Sequence, residues 1–268
     1  MADRREKAPD APTSGRAITA RRATVSILGG LVLWELAVRV LHPSPLSIVA
    51  PTDVVSAFVR LARDGTLWTD FRVSMQQFLM GFALSAAIAI PLGLVMGANR
   101  RVHDYGDPWL TILYTTPNVA LAPLFIIWLG FGNASHVAII ALVAIFPILI
   151  NTIEGVRTVE EEWNEVGAAF RASRPEIFAK IDLPGSLPYI FTGLRLALAR
   201  ALVGVVVADL FGASAGLGYL LLNSAQAFKT ADVFVAVTVL AALGVFLTGG
   251  LRLLQNKLMP WGATTGGA

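Results

Sequence analysis

FRVSMQQFLMGFALSAAIAIPLGLVM, residues 71–96, carries a single charge, Arg72, in a run long enough to cross a bilayer. A spanning helix needs about 20 mostly apolar residues. It must satisfy its backbone N–H and C=O groups internally, because hydrocarbon offers them no partner. The same pattern recurs on both sides of this segment, with apolar runs at about 24–41, 108–129, 135–153, 188–211 and 233–254. Pro117 and Pro123 fall inside the third run and predict a kinked or broken helix there. Across the 268 residues, 55% are apolar and 15% charged, against about 25% charged in soluble domains. Mean hydropathy is +0.66. These values exclude a disordered chain and argue against an ordinary soluble enzyme. The fold class read from them is all-α: a polytopic membrane protein with six transmembrane helices.

The basic residues set the expected topology. Residues 1–22 are polar, contain Pro9, Pro12 and Gly15, and read as a disordered cytoplasmic tail. The first run, 23–42, is too long for a signal-peptide core and reads as an uncleaved transmembrane helix. With the N-terminus inside, fourteen of the 21 Lys and Arg residues fall in inside segments and three in outside loops (Arg60, Arg63, Lys229). Four more, Arg39, Arg72, Arg195 and Arg200, lie within or at the ends of spans. This asymmetry places both termini in the cytoplasm of a multi-pass cell-membrane protein. The net charge of +3 therefore reports topology rather than nucleic-acid binding. Cysteine is absent, which excludes disulfides, thiolate metal sites and a cysteine nucleophile.

The longest inside loop reads TVEEEWNEVGAAFRASRPEIFAKIDLPGSLP over residues 158–188. It carries two capping-box patterns, Thr158 with Glu161 and Ser173 with Glu176. Pro175 suits a first helical turn, and Pro184 with Gly185 suits a helix end. Trp163, Val166, Gly167 and Phe170 fall on one stripe of the first helix. The loop is thus expected to be a helix-turn-helix whose stripe either packs on the protein's own helix ends or docks in a partner's groove.

This loop resembles the EAA loop of permease subunits of binding-protein-dependent ABC importers. Glu165 matches the family's Glu, and Ile181, Leu183 and Pro184 match its terminal Ile-x-Leu-Pro at the same spacing. Val166 and Gly167 replace two alanines, and Arg171 stands where the family has glycine. Ala172 and Ser173 then rejoin the pattern. The likeness extends over about 31–258, through LWELAVR (33–39), GFALSAAIAIPLGLVMG (81–97), LAPLFIIWLGFG (121–132), FPILINTIEGVR (146–157), LPYIFTGLRLALARA (187–201) and DLFGASAGLGYLL (209–221). It is similar to the branch importing nitrate, aliphatic sulfonates, taurine and related compounds.

The resemblance implies a type-1 permease fold. It places a transmembrane permease domain at 71–256 with a coupling loop at 157–184. By position, Glu165, Gly167, Ala168, Arg171, Ile181, Leu183 and Pro184 belong to the segment that contacts the ATPase. Arg171 would cost about 1–2 kcal/mol if its backbone were left-handed, so either the turn differs or the side chain makes a compensating contact. The implied partners are two ABC ATPase subunits, an extracytoplasmic binding protein and a second copy of the chain. No cofactor is implied. Mechanistically, ATP-driven closure would move the coupling helices and reorient the spans.

The chain holds no ATP-binding motif of its own, since none of its four lysines follows a glycine. It is read as a non-enzyme whose ATP is hydrolysed by a separate subunit. The alternative is an ion-coupled secondary transporter or channel, which needs a network of titratable groups inside the spans. Glu35 and Arg39 are spaced as a helical ion pair. Asp209 either lines a path or caps the turn that follows it. Arg200 either lines the path or snorkels to the interface. Asn118 lies between two prolines, as a path residue or as part of a helix kink. Gly29, Gly30, Gly244, Gly249 and Gly250 read as helix-packing positions. His42, His103 and His136 form no recognisable catalytic or metal motif.

Overall fold

The computed structural model describes residues 14–44, 46–169 and 172–259, with backbone alone at 14–21, 23, 160–169 and 174. Five helices are long and apolar enough to span a membrane, and a bent pair makes a sixth span. The helices are α1 (Ser14–Leu41), α2 (Pro51–Arg63), α3 (Thr66–Ala98), α4 (Arg100–Thr115), α5 (Ala122–Leu129), α6 (Asn133–Ala169), α7 (Arg174–Ile177), α8 (Leu183–Leu210), α9 (Leu217–Gln226) and α10 (Thr230–Leu258). Helix α1 reaches back into the stretch read as a tail. Ala17, Ala20, Arg21 and Arg22 are good helix formers that extend the apolar run by adding backbone hydrogen bonds.

The core is built from α3, α6 and α8. Phe78, Ala89 and Met96 of α3 meet Ile140, Ala144 and Ile148 of α6 and Ala197, Ala201 and Val205 of α8. Small residues let the backbones approach, since the hydrophobic effect does not drive association between apolar helices in lipid. A Cβ at Gly81, Gly93 or Gly97 would lie 2.6–2.7 Å from Ile140, Thr152 or Val156. Each pair has the same sequence offset, so α3 and α6 run parallel and in register. The glycines singled out earlier behave differently. Gly29, Gly30, Gly249 and Gly250 meet nothing within 4 Å, and only Gly244 touches a neighbour, Leu202.

The third span is broken, with α4 and the Asn118–Leu129 segment bent by 83°. Pro117 lies at the break and Pro123 in the first turn of α5, where its missing N–H costs little. The expected end of the fourth span is not seen. Helix α6 runs unbroken past Thr158 to Ala169, and the Thr158 hydroxyl donates back to the Glu154 carbonyl (2.9 Å) rather than capping a new helix. Pro184 and Gly185 do not end a helix either. A π-helical turn, Phe178–Asp182, widens the backbone just before Pro184, which then sits in the first turn of α8.

Helix α1 stands off this core, with no buried residue between Thr24 and Leu41. Its anchor is polar: Arg39 Nε donates to Glu35 (2.6 Å), and Glu35 accepts from the Thr52 backbone N–H (3.2 Å) and hydroxyl (3.0 Å) at the start of α2. Trp34 also packs on Phe234 of α10, with ring centroids 5.4 Å apart. The expected Glu35–Arg39 pair is therefore present, and it also satisfies an N-terminal N–H of α2.

Candidate functional site: coupling segment, cavity and loop clamp

The segment resembling the EAA loop occupies one end of the bundle. Glu165, Gly167 and Ala168 lie on the last turns of α6, and Arg171 and Phe170 fall outside the described residues. Ser173 opens α7, with the Glu176 carboxylate accepting from both its backbone N–H (3.0 Å) and its hydroxyl (2.7 Å). Ile181 lies in the π turn, and Leu183 and Pro184 open α8. The first turn of α8 packs on α6, where a Cβ at Gly185 would lie 2.6 Å from Val159. Because α6 is one helix, the segment carrying Glu165 continues directly into the transmembrane core.

A cavity of about 450 Å³ lies at the break between α4 and α5. It is lined by Tyr114, Thr115, Thr116, Pro117 and Asn118, with Val143, Phe146 and Pro147 of α6 and Arg200 of α8. The structure thus brings Asn118 and Arg200 together. Arg200 supplies the only charge in the lining, and among the described residues nothing pairs with its guanidinium. Asn118 serves the break as well. With its amide nitrogen turned toward them, it donates to the freed carbonyls of Leu113 (3.2 Å) and Thr116 (3.3 Å). The Thr115 and Thr116 hydroxyls donate to Thr111 and Ile112 carbonyls, each at 2.8 Å.

Asp209 lies elsewhere, 1% exposed, at the opposite end of α8 from the coupling segment. Its Oδ2 accepts from the Gly218 N–H (3.0 Å) and from the Ser74 hydroxyl (3.5 Å). Ser74 Oγ accepts from the Leu217 N–H (2.8 Å), and Asp70 accepts from the Gly216 N–H (2.9 Å). Three successive N–H groups at the start of α9 are therefore satisfied by side chains of α3 and α8. Two carboxylates at that N-terminus also complement the helix dipole. Gly216 (φ 137°) leaves room for this clamp, because a Cβ there would sit 2.5 Å from Asp209. Asp209 meets the clamp, not the cavity. Asp209→Leu is expected to lower stability by about 2–3 kcal/mol, because buried N–H groups lose their acceptor. Asp209→Asn retains an oxygen and is expected to cost less. Thermal unfolding of the purified protein in detergent measures both.

Sequence reading did not single out Asp70 or Ser74 as members of this clamp. Nor did it find Gln77, whose amide nitrogen lies 3.0 Å from Asn133 Oδ1 and 3.2 Å from His136 Nδ1. Arg195 Nη2 donates to Gln255 (2.8 Å), tying α8 to α10, and Arg60 pairs with buried Asp232. All these partners are distant along the chain, so no local motif announces them. Among the described residues no group of His, Asp and Glu is arranged to hold a metal.

A bundle of five apolar helices plus one broken span, with a helical segment continuing from one end, is the architecture of a polytopic membrane protein. Residues 89–259 match the family model of the binding-protein-dependent transport system inner membrane component, and the chain belongs to that family. It is 34% identical over 231 residues to a putative aliphatic sulfonates transport permease of Bacillus subtilis, covering 86% of this chain and 84% of that protein. It is 30% identical to the taurine transport system permease of Escherichia coli, covering 92% and 90%. It is 31% identical to a formylaminopyrimidine transport permease of Halalkalibacterium halodurans, covering 92% and 98%. The fold is similar to that of a chain in an inward-facing structure of the MetNI methionine ABC transporter (TM-score 0.60, 14% identity, 69% of this chain and 92% of that one). The protein is a membrane-embedded permease subunit of an ABC importer, a class that works with an ATPase and a substrate-binding protein.

Proposed function

We propose that two copies of this chain form the translocation path of an importer for a small organic anion of the sulfonate type. The observation that carries the substrate class is Arg200, an unpaired cation in a cavity at a broken span. An intramembrane charge is costly unless a partner neutralises it. A transient anion supplies that partner, with Thr116 and Asn118 as neighbouring polar groups. The permease relatives named for sulfonates and taurine support the same class.

Two ATPase subunits would engage the coupling loop, 157–184, through Glu165, Gly167, Ala168, Arg171, Ile181, Leu183 and Pro184. The chain's lack of a phosphate-binding lysine motif supports assigning ATP hydrolysis to those subunits. Residues 1–22 and the C-terminus are read as cytoplasmic from the distribution of Lys and Arg. In this reading 23–42 is an added first span and 71–256 the permease domain. The loop held by Asp70 and Asp209 then faces the binding protein, and the clamp keeps that docking platform in place.

The test is uptake of an alkanesulfonate into proteoliposomes holding the permease, its ATPase and its binding protein. Arg200→Gln is expected to reduce uptake about ten- to a hundredfold, the effect of losing one charge-assisted contact of about 1.5–3 kcal/mol. Arg200→Lys should retain more activity, and ATP hydrolysis should persist in both. Uptake by Arg200→Gln at the wild-type rate would overturn the anion assignment.

A further inference from the structure

Helix α4 forms one wall of the cavity, yet none of its residues is buried. Two contacts fasten it to α6. At the coupling end, the Arg157 guanidinium lies 2.9 Å from His103 Nε2. At the cavity end, Tyr114 packs on Phe146 with ring centroids 5.9 Å apart. Eleven residues separate His103 from Tyr114 on α4, and eleven separate Phe146 from Arg157 on α6. At about 1.5 Å per residue, both intervals span roughly 16 Å. The two helices are antiparallel and touch through side chains at matched points, while α4 packs beside α3.

We infer that the Arg157–His103 contact is a positioning link that makes the cavity wall follow the coupling segment. Arg157 lies on α6 between buried Val156 and Val159 and eight residues before Glu165, on the same unbroken helix. A guanidinium only donates, so His103 Nε2 accepts and the imidazole proton is on Nδ1. That side faces Asp104, with Nδ1 3.5 Å from its Oδ1, and Asp107 Oδ1 lies 3.9 Å from Nε2. Asp104 lies beside the protonated Nδ1, and the two carboxylates balance the charge of the arginine. Without the link, α4 keeps the Tyr114–Phe146 contact at the cavity end and the apolar contacts of Leu110 with the core and Gly106 with Met96 of α3, but no polar tie to α6 at the coupling end. Asn99, which caps α4 through the N–H groups of Arg101 (3.0 Å) and Val102 (3.3 Å), is then the point about which α4 turns. The core would move and the wall would lag. This inference rests on the importer reading and on two copies of the chain.

The chain has no cysteine, so one introduced cysteine carries one spin label per copy, and the pair reports the distance between copies. Tyr105 on α4 and Leu196 on α8 are 82% and 53% exposed, and each is replaced separately by labelled cysteine. Distances are measured in the assembled complex without nucleotide and with ATP trapped. In the otherwise unaltered protein both positions are expected to shift on ATP binding. In Arg157→Ala the shift at Leu196→Cys is expected to remain and that at Tyr105→Cys to be lost. The exchanged pair Arg157→Glu with His103→Arg is expected to restore it. Persistence of the Tyr105→Cys shift in Arg157→Ala overturns the link and leaves the importer reading intact. Absence of any shift at both positions in the unaltered complex overturns the link by way of the importer reading itself.

Discussion

Glu165→Lys is expected to reach the membrane folded and to lose its ATPase partner. Glu165 lies on α6 twelve residues beyond Ile153, the last member of the α3–α6–α8 core cluster on that helix among the described residues. The substitution keeps a good helix former in a helix. What changes is a charge at the proposed contact. Reversing a charge across an interface sets like against like or leaves a partner unpaired, which costs about 3 kcal/mol. That weakens binding on the order of a hundredfold. Co-purification from membranes measures the complex, and ATP turnover in liposomes with and without the binding protein measures coupling. Wild type should purify with the ATPase and show turnover stimulated by the binding protein, and Glu165→Lys should show neither. A variant that still co-purifies and couples would remove Glu165 from the contact.

This expectation gains force from a feature that local sequence signals concealed. Thr158 and Glu161 spell a capping box, which reads as a helix start and hence a joint between span and loop. In the structure Thr158 sits mid-helix and bonds back to Glu154. A capping pattern signals a start only when the preceding residues leave the helix, and Ile153–Arg157 do not. The consequence is mechanical, because a displacement of the proposed coupling segment would act on a continuous rod instead of a hinged loop. The opposite error occurred at Pro184, which reads as a stop and is absorbed by a π turn.

Other parts were legible because one residue type decides them. Apolar runs fixed the spans, and Pro117 placed the break that makes the cavity. The Glu35–Arg39 pair follows from helical spacing alone. The Asp70–Ser74–Asp209 clamp was not legible, since its two carboxylates are 139 residues apart in sequence. Asp209 drew notice only as a charge near a span end. Whether it lines a path or caps a turn depends on where α9 starts in space.

The glycines give the sharpest contrast and the second large effect. Gly193→Val is expected to prevent α8 from packing on α6. A Cβ at Gly193 would lie 2.8 Å from the Pro147 carbonyl oxygen, 3.0 Å from Asn151 Cβ and 3.1 Å from Ile148 Cα. Two of these are backbone atoms, so no rotamer change relieves them. The Pro147 carbonyl also accepts from the Asn151 side-chain amide (2.8 Å), which a displaced helix would forfeit. Overpacking a close-fitted core costs about 1–3 kcal/mol, and a backbone collision belongs at or above the upper end. At roughly 2–4 °C per kcal/mol for a chain of this size, Tm should fall by about 10 °C or folded protein should not accumulate. Gly249→Ala is the matched control. Gly249 is also helical and, unlike Gly193, was read from the sequence as a packing position, but its Cβ would meet nothing within 4 Å. There the methyl restricts the unfolded chain and favours helix, worth about 0.5–1 kcal/mol of added stability. Opposite signs at two helical glycines, read by thermal unfolding in one detergent, separate backbone contact from mere glycine content. Equal effects at both sites would mean that Gly193 does not mark where α6 and α8 meet.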